Sequence, residues 1–184
     1  MKSRKIIAGI DEVGRGSLIG SVYSAAVIFN NNDLISNLKD SKKISAKNRL
    51  FLANLILERA SAVSIGVATR DEIDDLNIHH ATLLSMNRAI DNLPIKADLL
   101  LIDGKFAPQT NIETRTIVKG DNLINQISAA SIIAKVARDN EMLFLNSKVP
   151  QYHFSKNKGY GTKHHLSNLS LFGKTIYHRE SFIK

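Results

Sequence analysis

Hydrophobic positions first cluster in Lys5-Ile6-Ile7-Ala8-Gly9-Ile10, a run that stops at Asp11 and Glu12 and passes into a Gly14-Arg15-Gly16 turn. A short apolar run with isoleucines, closed by glycine, predicts a mostly buried strand. A second apolar stretch from Ser21 to Phe29 follows at once. So short a connection favours an antiparallel neighbour over a crossover. Ser45 is placed to N-cap a helix running to about Ala60, with Leu50, Leu52, Ala53, Leu55, Ile56 and Leu57 as a broad apolar face. Ser61 to Ala68 then reads as a third strand. Residues 78–91 read as a helix that offers Ala81, Leu83, Leu84, Met86 and Ile90 for packing. Asp98-Leu99-Leu100-Leu101-Ile102-Asp103 is a further buried strand capped by Gly104, and a short strand is expected from Thr114 to Val118. From Asn122 to about Leu145 the period is helical again, and Ser128-Ala129-Ala130-Ser131 is small enough to approach a sheet closely. Strands first, then alternating helices and strands, then a helical tail predict an α/β protein with a mixed sheet flanked by helices. Pro150 is expected to mark the passage from core to tail.

The length of 184 residues suits a single domain spanning 1–184, with a basic helical segment over about 146–184. Cysteine is absent, which excludes disulfides, a Cys-ligated zinc site and a cysteine nucleophile. No apolar run approaches the roughly 20 residues that span a bilayer, and Met1-Lys2-Ser3-Arg4-Lys5 leads into too few apolar residues for a signal peptide. A cytoplasmic protein with no membrane partner is expected. The formal charge is +8, and residues 135–184 carry nine Lys or Arg against three Asp or Glu. A polyanion is the natural partner of such a surface, through Coulomb steering and counterion release. Lysine-rich surfaces also serve solubility alone.

Against this basic background four acids stand at the expected element ends beside glycines: Asp11, Glu12, Asp103 and Asp121. Adjacent strand residues point to opposite faces, so Asp11 and Glu12 can share a site only if the chain bends there, for which Gly14 and Gly16 leave freedom. Sites in α/β sheets form beyond strand ends, where these positions could converge. Any one of them could equally be a turn or capping residue. Clustered together they would repel unless a hard cation neutralised them, and Mg²⁺ or Mn²⁺ takes such oxygen ligands.

Gly9-Ile10-Asp11-Glu12-Val13-Gly14-Arg15-Gly16 resembles the signature opening of the ribonuclease HII family. Further blocks resemble the family in order: Asp40-Ser41-Lys42-Lys43-Ile44-Ser45, Glu72-Ile73-Asp74-Asp75-Leu76-Asn77-Ile78, Leu101-Ile102-Asp103-Gly104, Lys119-Gly120-Asp121, Ser128 to Lys135 with Arg138-Asp139, and Lys158-Gly159-Tyr160-Gly161-Thr162. The resemblance covers essentially the whole chain. It implies a ribonuclease H-like fold with a five-stranded mixed sheet, and Asp11, Glu12, Asp103 and Asp121 as catalytic, metal-binding acids using Mg²⁺ or Mn²⁺. It further implies that Gly14, Arg15 and Gly16 contact the backbone at an RNA–DNA junction and sense the 2′-hydroxyl, and that Tyr160 stacks on the following deoxyribose. The implied activity is endonucleolytic cutting of the RNA strand of RNA–DNA hybrids and 5′ of single ribonucleotides in duplex DNA, leaving 3′-hydroxyl and 5′-phosphate ends.

The residues themselves speak to parts of this. A Gly-Arg-Gly turn can bring backbone N–H groups and a guanidinium to an anion. Tyr160 between Gly159 and Gly161 is expected to be exposed, either for substrate or as an anchor of the turn. Lys42 and Lys43 are candidates for phosphate contacts or solvated loop charges. Lys135 and Arg138 share a helix face, where exposure is the ordinary outcome. Ser17 stands where the family often has proline, a change expected to loosen the turn. The chain shows no amino-terminal extension of the ribonuclease HIII kind and no sliding-clamp tail after His178-Arg179-Glu180-Ser181-Phe182, so a monomer without a clamp partner is expected.

Competing readings fare worse. In a dinucleotide-binding turn the third glycine would fall at Ile19, and Asp11 with Glu12 would oppose a pyrophosphate. Neither His79-His80 nor His164-His165 has the i, i+4 spacing of a helical zinc site. A hybrid-binding protein without activity, or another nuclease of the same fold such as a resolvase, would be separated by cleavage and substrate preference.

Overall fold

The computed structural model describes residues 5–30, 33–35, 38 and 44–183. Five strands form one mixed sheet: β1 (Ile7–Val13), β2 (Val22–Ile28), β3 (Ala62–Ala68), β4 (Leu99–Asp103) and β5 (Glu113–Ile117), in the order β3-β2-β1-β4-β5. β1 lies at the centre, antiparallel to β2 and parallel to β4. The expected strands and the antiparallel opening hairpin are all present.

Helix α1 (Ala46–Arg59) starts at the predicted cap, where the Ser45 side chain accepts from the Asn48 amide. Its buried face is narrower than the sequence suggests. Arg49, Ala53 and Ile56 are covered, while Leu50 and Leu57 are 54% and 59% exposed. Ala53 and Ile56 pack beside Ala129, Ala130, Ile132 and Ile133 of the long helix below, so a single stripe of α1 meets the core.

Helix α2 (Arg70–Asp91) begins about two turns before the predicted residue 78. A capping box between Thr69 and Glu72 starts it, and Asn77 breaks it at φ 68°. The Asn77 Oδ1 then accepts from the amides of His79 and His80, at 2.9 and 3.2 Å, and re-caps the predicted stretch. Sequence periodicity detected only the second, better-packed part.

Helix α3 (Asn125–Lys148) starts three residues later than expected because Gly120–Asn122 forms a 3-10 turn. It crosses β1 in direct backbone contact. A Cβ added at Gly9 would stand 2.2 Å from the Gln126 carbonyl carbon and 2.4 Å from the Ile127 nitrogen. Ser128, Ala129, Ala130 and Ser131 are all buried, as their size requires at so close an approach.

The two sheet faces are thus covered differently. Ala8, Ile10, Ala26, Ile28, Leu100 and Ile102 pack against Met86, Ala89 and Ile90 of α2, whereas Ala25 and Val27 face α3. Beyond Pro150, helices α4 (Phe154–Asn157) and α5 (Lys163–Phe172) follow. This tail is no loose appendage. Tyr152 and Phe154 are fully buried with Ile19, Met142 and Leu145, which fastens it beside the Gly14–Gly16 turn. No helix among the described residues is long and apolar enough to cross a membrane.

Candidate active site

β1 and β4 run parallel in register from Ile7 with Leu99 to Ile10 with Ile102. The next residue on each strand is an acid, Asp11 and Asp103, so the pairing pattern alone makes them neighbours. β1 does not stop at Asp11, as its apolar run suggests, but continues to Val13 along β2. No bend is needed to recruit both acids. Asp11 and Glu12 keep to opposite faces and straddle the sheet beside Asp103. Asp11 is buried against α3 and accepts a hydrogen bond from Ser131, while Glu12 lines a cleft with His79, Thr82 and Met86 of α2 and with Asp103. Asp121 joins from the 3-10 turn, where its backbone N–H lies 3.4 Å from Asp103 Oδ1. The turn is held by the Ser128 hydroxyl, which donates to the Asp121 carbonyl at 2.6 Å, and Asn122 donates to the Asp121 carboxylate at 2.8 Å.

The electrostatics are those of crowded negative charge. Burial and the neighbouring Glu12 push the Asp11 carboxyl well above the usual carboxylate range, with Asp103 adding to the effect and Ser131 opposing it. Burial also raises Glu12; Arg15, 3.4 Å away, counters this and Asp103 reinforces it. A cation would relieve this repulsion, and the all-oxygen donor set is of the hard type that suits Mg²⁺ or Mn²⁺. Among the described residues no group of three or more acid or histidine side chains is placed to hold a metal ion. The carboxylate oxygens of Asp11, Glu12, Asp103 and Asp121 are nonetheless the donor type that a divalent ion takes.

Gly14-Arg15-Gly16 follows directly. Gly14 has φ +99°, and a Cβ there would lie 2.3 Å from Arg138 Nε. The turn pairs with the predicted tyrosine segment: Ser17 bridges Tyr160, and the Leu18 amide donates to the Gly159 carbonyl at 2.9 Å. Tyr160 is 38% exposed, as expected from its glycine neighbours. Lys42 and Lys43 lie outside the described residues.

Two expectations at this site are corrected. Ser17 does not loosen the turn. Fully buried, its hydroxyl lies 3.0 Å from the carbonyls of both Ile19 and Gly159 and accepts from Arg138 at 2.7 Å. Arg138 is not an exposed helical cation but wholly buried, donating also to the carbonyls of Lys158 at 2.9 Å and Ile19 at 3.2 Å. Its helix partner Lys135 instead pairs with Asp139. Arg179, overlooked in the sequence, is equally buried and donates to the carbonyls of Gly20 at 2.9 Å and Arg15 at 3.0 Å. Nothing local marks these arginines, since their acceptors lie 20 to 164 residues away in sequence.

Comparison with known proteins decides the lineage. A family model described as Ribonuclease HII matches residues 8–184. The chain belongs to the ribonuclease HII family. It is 50% identical over 178 residues to a ribonuclease HII of Alteromonas mediterranea, covering 97% of this chain and 94% of the relative. A ribonuclease HII of Shewanella piezotolerans is 51% identical over 175 residues, covering 95% and 87%. Among solved structures, ribonuclease H2 of Pyrococcus horikoshii superposes with a TM-score of 0.81 at 22% identity, over 96% of this chain and 93% of that one, and so shares the fold. The five-stranded mixed sheet with flanking helices is the ribonuclease H-like fold that the sequence resemblance implied. As a ribonuclease HII family member, the protein is an endoribonuclease of the ribonuclease H type, and enzymes of this class depend on divalent metal.

Proposed function

We propose that the protein nicks duplex DNA on the 5′ side of an embedded ribonucleotide and cuts the RNA strand of RNA–DNA hybrids, with Asp11, Glu12, Asp103 and Asp121 as the metal-holding acids. The observation that carries this reading is the meeting of Asp11 and Asp103 at the point where β1 and β4 part, with Glu12 and Asp121 beside them. A bound Mg²⁺ or Mn²⁺ supplies positive charge against the phosphate and lowers the pKa of water.

The protein groups hold the junction. Arg15, whose side chain is 43% exposed beside Glu12, reaches the phosphate flanking the ribonucleotide. The Gly14–Gly16 backbone approaches the ribose closely enough to read its 2′-hydroxyl, and Tyr160 stacks on the next deoxyribose. Lys42 and Lys43 complete the phosphate contacts. Water forms the new bond to phosphorus, the P–O3′ bond breaks, and the ends are a 3′-hydroxyl and a 5′-phosphate. We assign this work to a single catalytic domain acting as a cytoplasmic monomer in ribonucleotide removal during DNA replication and repair.

The test is cleavage of duplex DNA carrying one internal ribonucleotide, with Mg²⁺, Mn²⁺ or chelator, beside an all-DNA duplex and the Asp103→Asn variant. One metal-dependent nick immediately 5′ of the ribonucleotide is expected, lost in the variant while binding persists, because one ligand oxygen and one negative charge are removed. Cutting of the all-DNA duplex, or loss of binding with unchanged cleavage per complex, refutes it.

A further inference from the structure

His165, in the first turn of α5, and His178, near the carboxyl end, are both fully buried. Their Nε2 atoms are 3.2 Å apart. The rings of Tyr152 and Phe154 pack against both. Hydrogen-bond partners settle where the protons are. The Thr175 amide N–H donates to His178 Nδ1 at 3.0 Å, so that nitrogen carries no proton. The Thr175 hydroxyl lies 2.9 Å from the same nitrogen. The His178 proton therefore sits on Nε2 and points at His165 Nε2. His165 must accept there, which puts its own proton on Nδ1, 2.9 Å from the Tyr160 carbonyl oxygen. Every donor in this chain meets one acceptor only if both rings are neutral. Burial lowers the proton affinity of both imidazoles, taking His178 to about 4, so neutral rings hold at ordinary pH.

This run of hydrogen bonds ends at Tyr160. Next to His178, Arg179 donates to the Arg15 carbonyl at 3.0 Å. Two consecutive residues thus tie down the two sides of the junction cleft, one through Tyr160 and one through the Gly14–Gly16 turn.

We propose that His165 and His178 are positioning residues: the relay from Thr175 through both imidazoles to the Tyr160 carbonyl sets where the Tyr160 ring stands relative to the Gly-Arg-Gly turn. The proposal rests on the reading that Tyr160 touches the nucleic acid. A loose Tyr160 backbone would spread the ring over several positions and forfeit the stacking geometry that distinguishes a junction from continuous DNA.

The experiment compares kcat/KM on the single-ribonucleotide duplex for the native protein, Tyr160→Ala, His165→Phe, the double variant and His165→Asn. Phenylalanine fills the space but donates nothing, whereas the asparagine amide sits where Nδ1–H does. His165→Phe is expected to lose about tenfold, the equivalent of one buried hydrogen bond, with no further loss in the Tyr160→Ala background. Most of the rate returns in His165→Asn. A native rate in His165→Phe, losses that multiply in the double variant, or no recovery with asparagine overturns the relay. If Tyr160→Ala alone is harmless, the reading of Tyr160 falls and takes the relay with it; a defective Tyr160→Ala with multiplying losses condemns the relay alone. Nitrogen-15 NMR of the unaltered, histidine-labelled protein tests the same chain without any variant. Protons on His178 Nε2 and His165 Nδ1 are expected, and the opposite tautomers or a charged ring overturn the proposal.

Discussion

Replacing Arg138 with methionine removes a fully buried guanidinium while keeping most of its aliphatic length. The lost donations are those to the Lys158 carbonyl at 2.9 Å, the Ser17 hydroxyl at 2.7 Å, the Ile19 carbonyl at 3.2 Å and, more weakly, the Ser21 carbonyl at 3.4 Å. Hydrogen bonds from a charged donor are worth roughly 1.5–3 kcal/mol each, so the three shorter ones set a gross loss of about 6 kcal/mol. Two effects offset it. The desolvation that depresses the proton affinity of Arg138 disappears, and the methionine side chain gains about 2 kcal/mol of apolar burial. Ser17 also keeps its own carbonyl partners. The net expectation is a destabilisation of about 3 kcal/mol, because the carbonyls remain buried without a donor. Urea unfolding followed by circular dichroism reads this directly. With a slope of roughly 2 kcal/mol per molar urea, the midpoint should fall by about 1.5 M. Arg138→Lys should recover little, since a single ammonium cannot span acceptors placed for a planar fork. A change under about 1 kcal/mol would show that this guanidinium does not hold the turn and the Tyr160 segment together.

Further perturbations separate the remaining terms. Asp11→Asn should raise the melting temperature in chelator at neutral pH by a few degrees. The Asp11 carboxyl is raised in the folded state, so its favourable contribution is complete only below the ordinary 3.8 and is lost as pH rises through the folded value; a lower melting temperature refutes the crowding argument. Gly9→Ala should cost more than about 3 kcal/mol, because the new Cβ meets the Gln126 and Ile127 backbone rather than a side chain that can turn away; thermal unfolding checks it, and a neutral result means α3 can retreat from β1. For His178, lowered to about 4 by burial and then by His165, stability present above pH 6.5 should drain away as pH falls through the folded value. An NMR titration placing its midpoint near the ordinary 6.5 would contradict that burial.

Much of the molecule was legible from residue order. The apolar runs located every strand, the nearness of the first two gave their antiparallel pairing, and the four acids stood out because apolar runs and glycine turns adjoin them. These are local signals, carried by neighbouring residues. The kink at Asn77 was hidden because a periodicity window sees apolar spacing and not a left-handed residue that re-caps its own helix. The breadth of α1 was overestimated because one stripe alone meets α3.

What the tertiary structure alone decided concerns partners far apart in sequence. Asp11 and Glu12 need no bend, because β4 parts from β1 after Ile10 and leaves Asp103 level with them. Arg138 and Arg179 look like ordinary surface cations until backbone carbonyls from the opening turn close around them. His164-His165 reads as a pair, yet the imidazole facing His165 belongs to His178, brought there by the packing of the tail on Tyr152 and Phe154. Hydrophobic pattern specifies which residues are buried, but a buried polar group is defined by the single partner that satisfies it, and that partner is chosen only when the chain has folded.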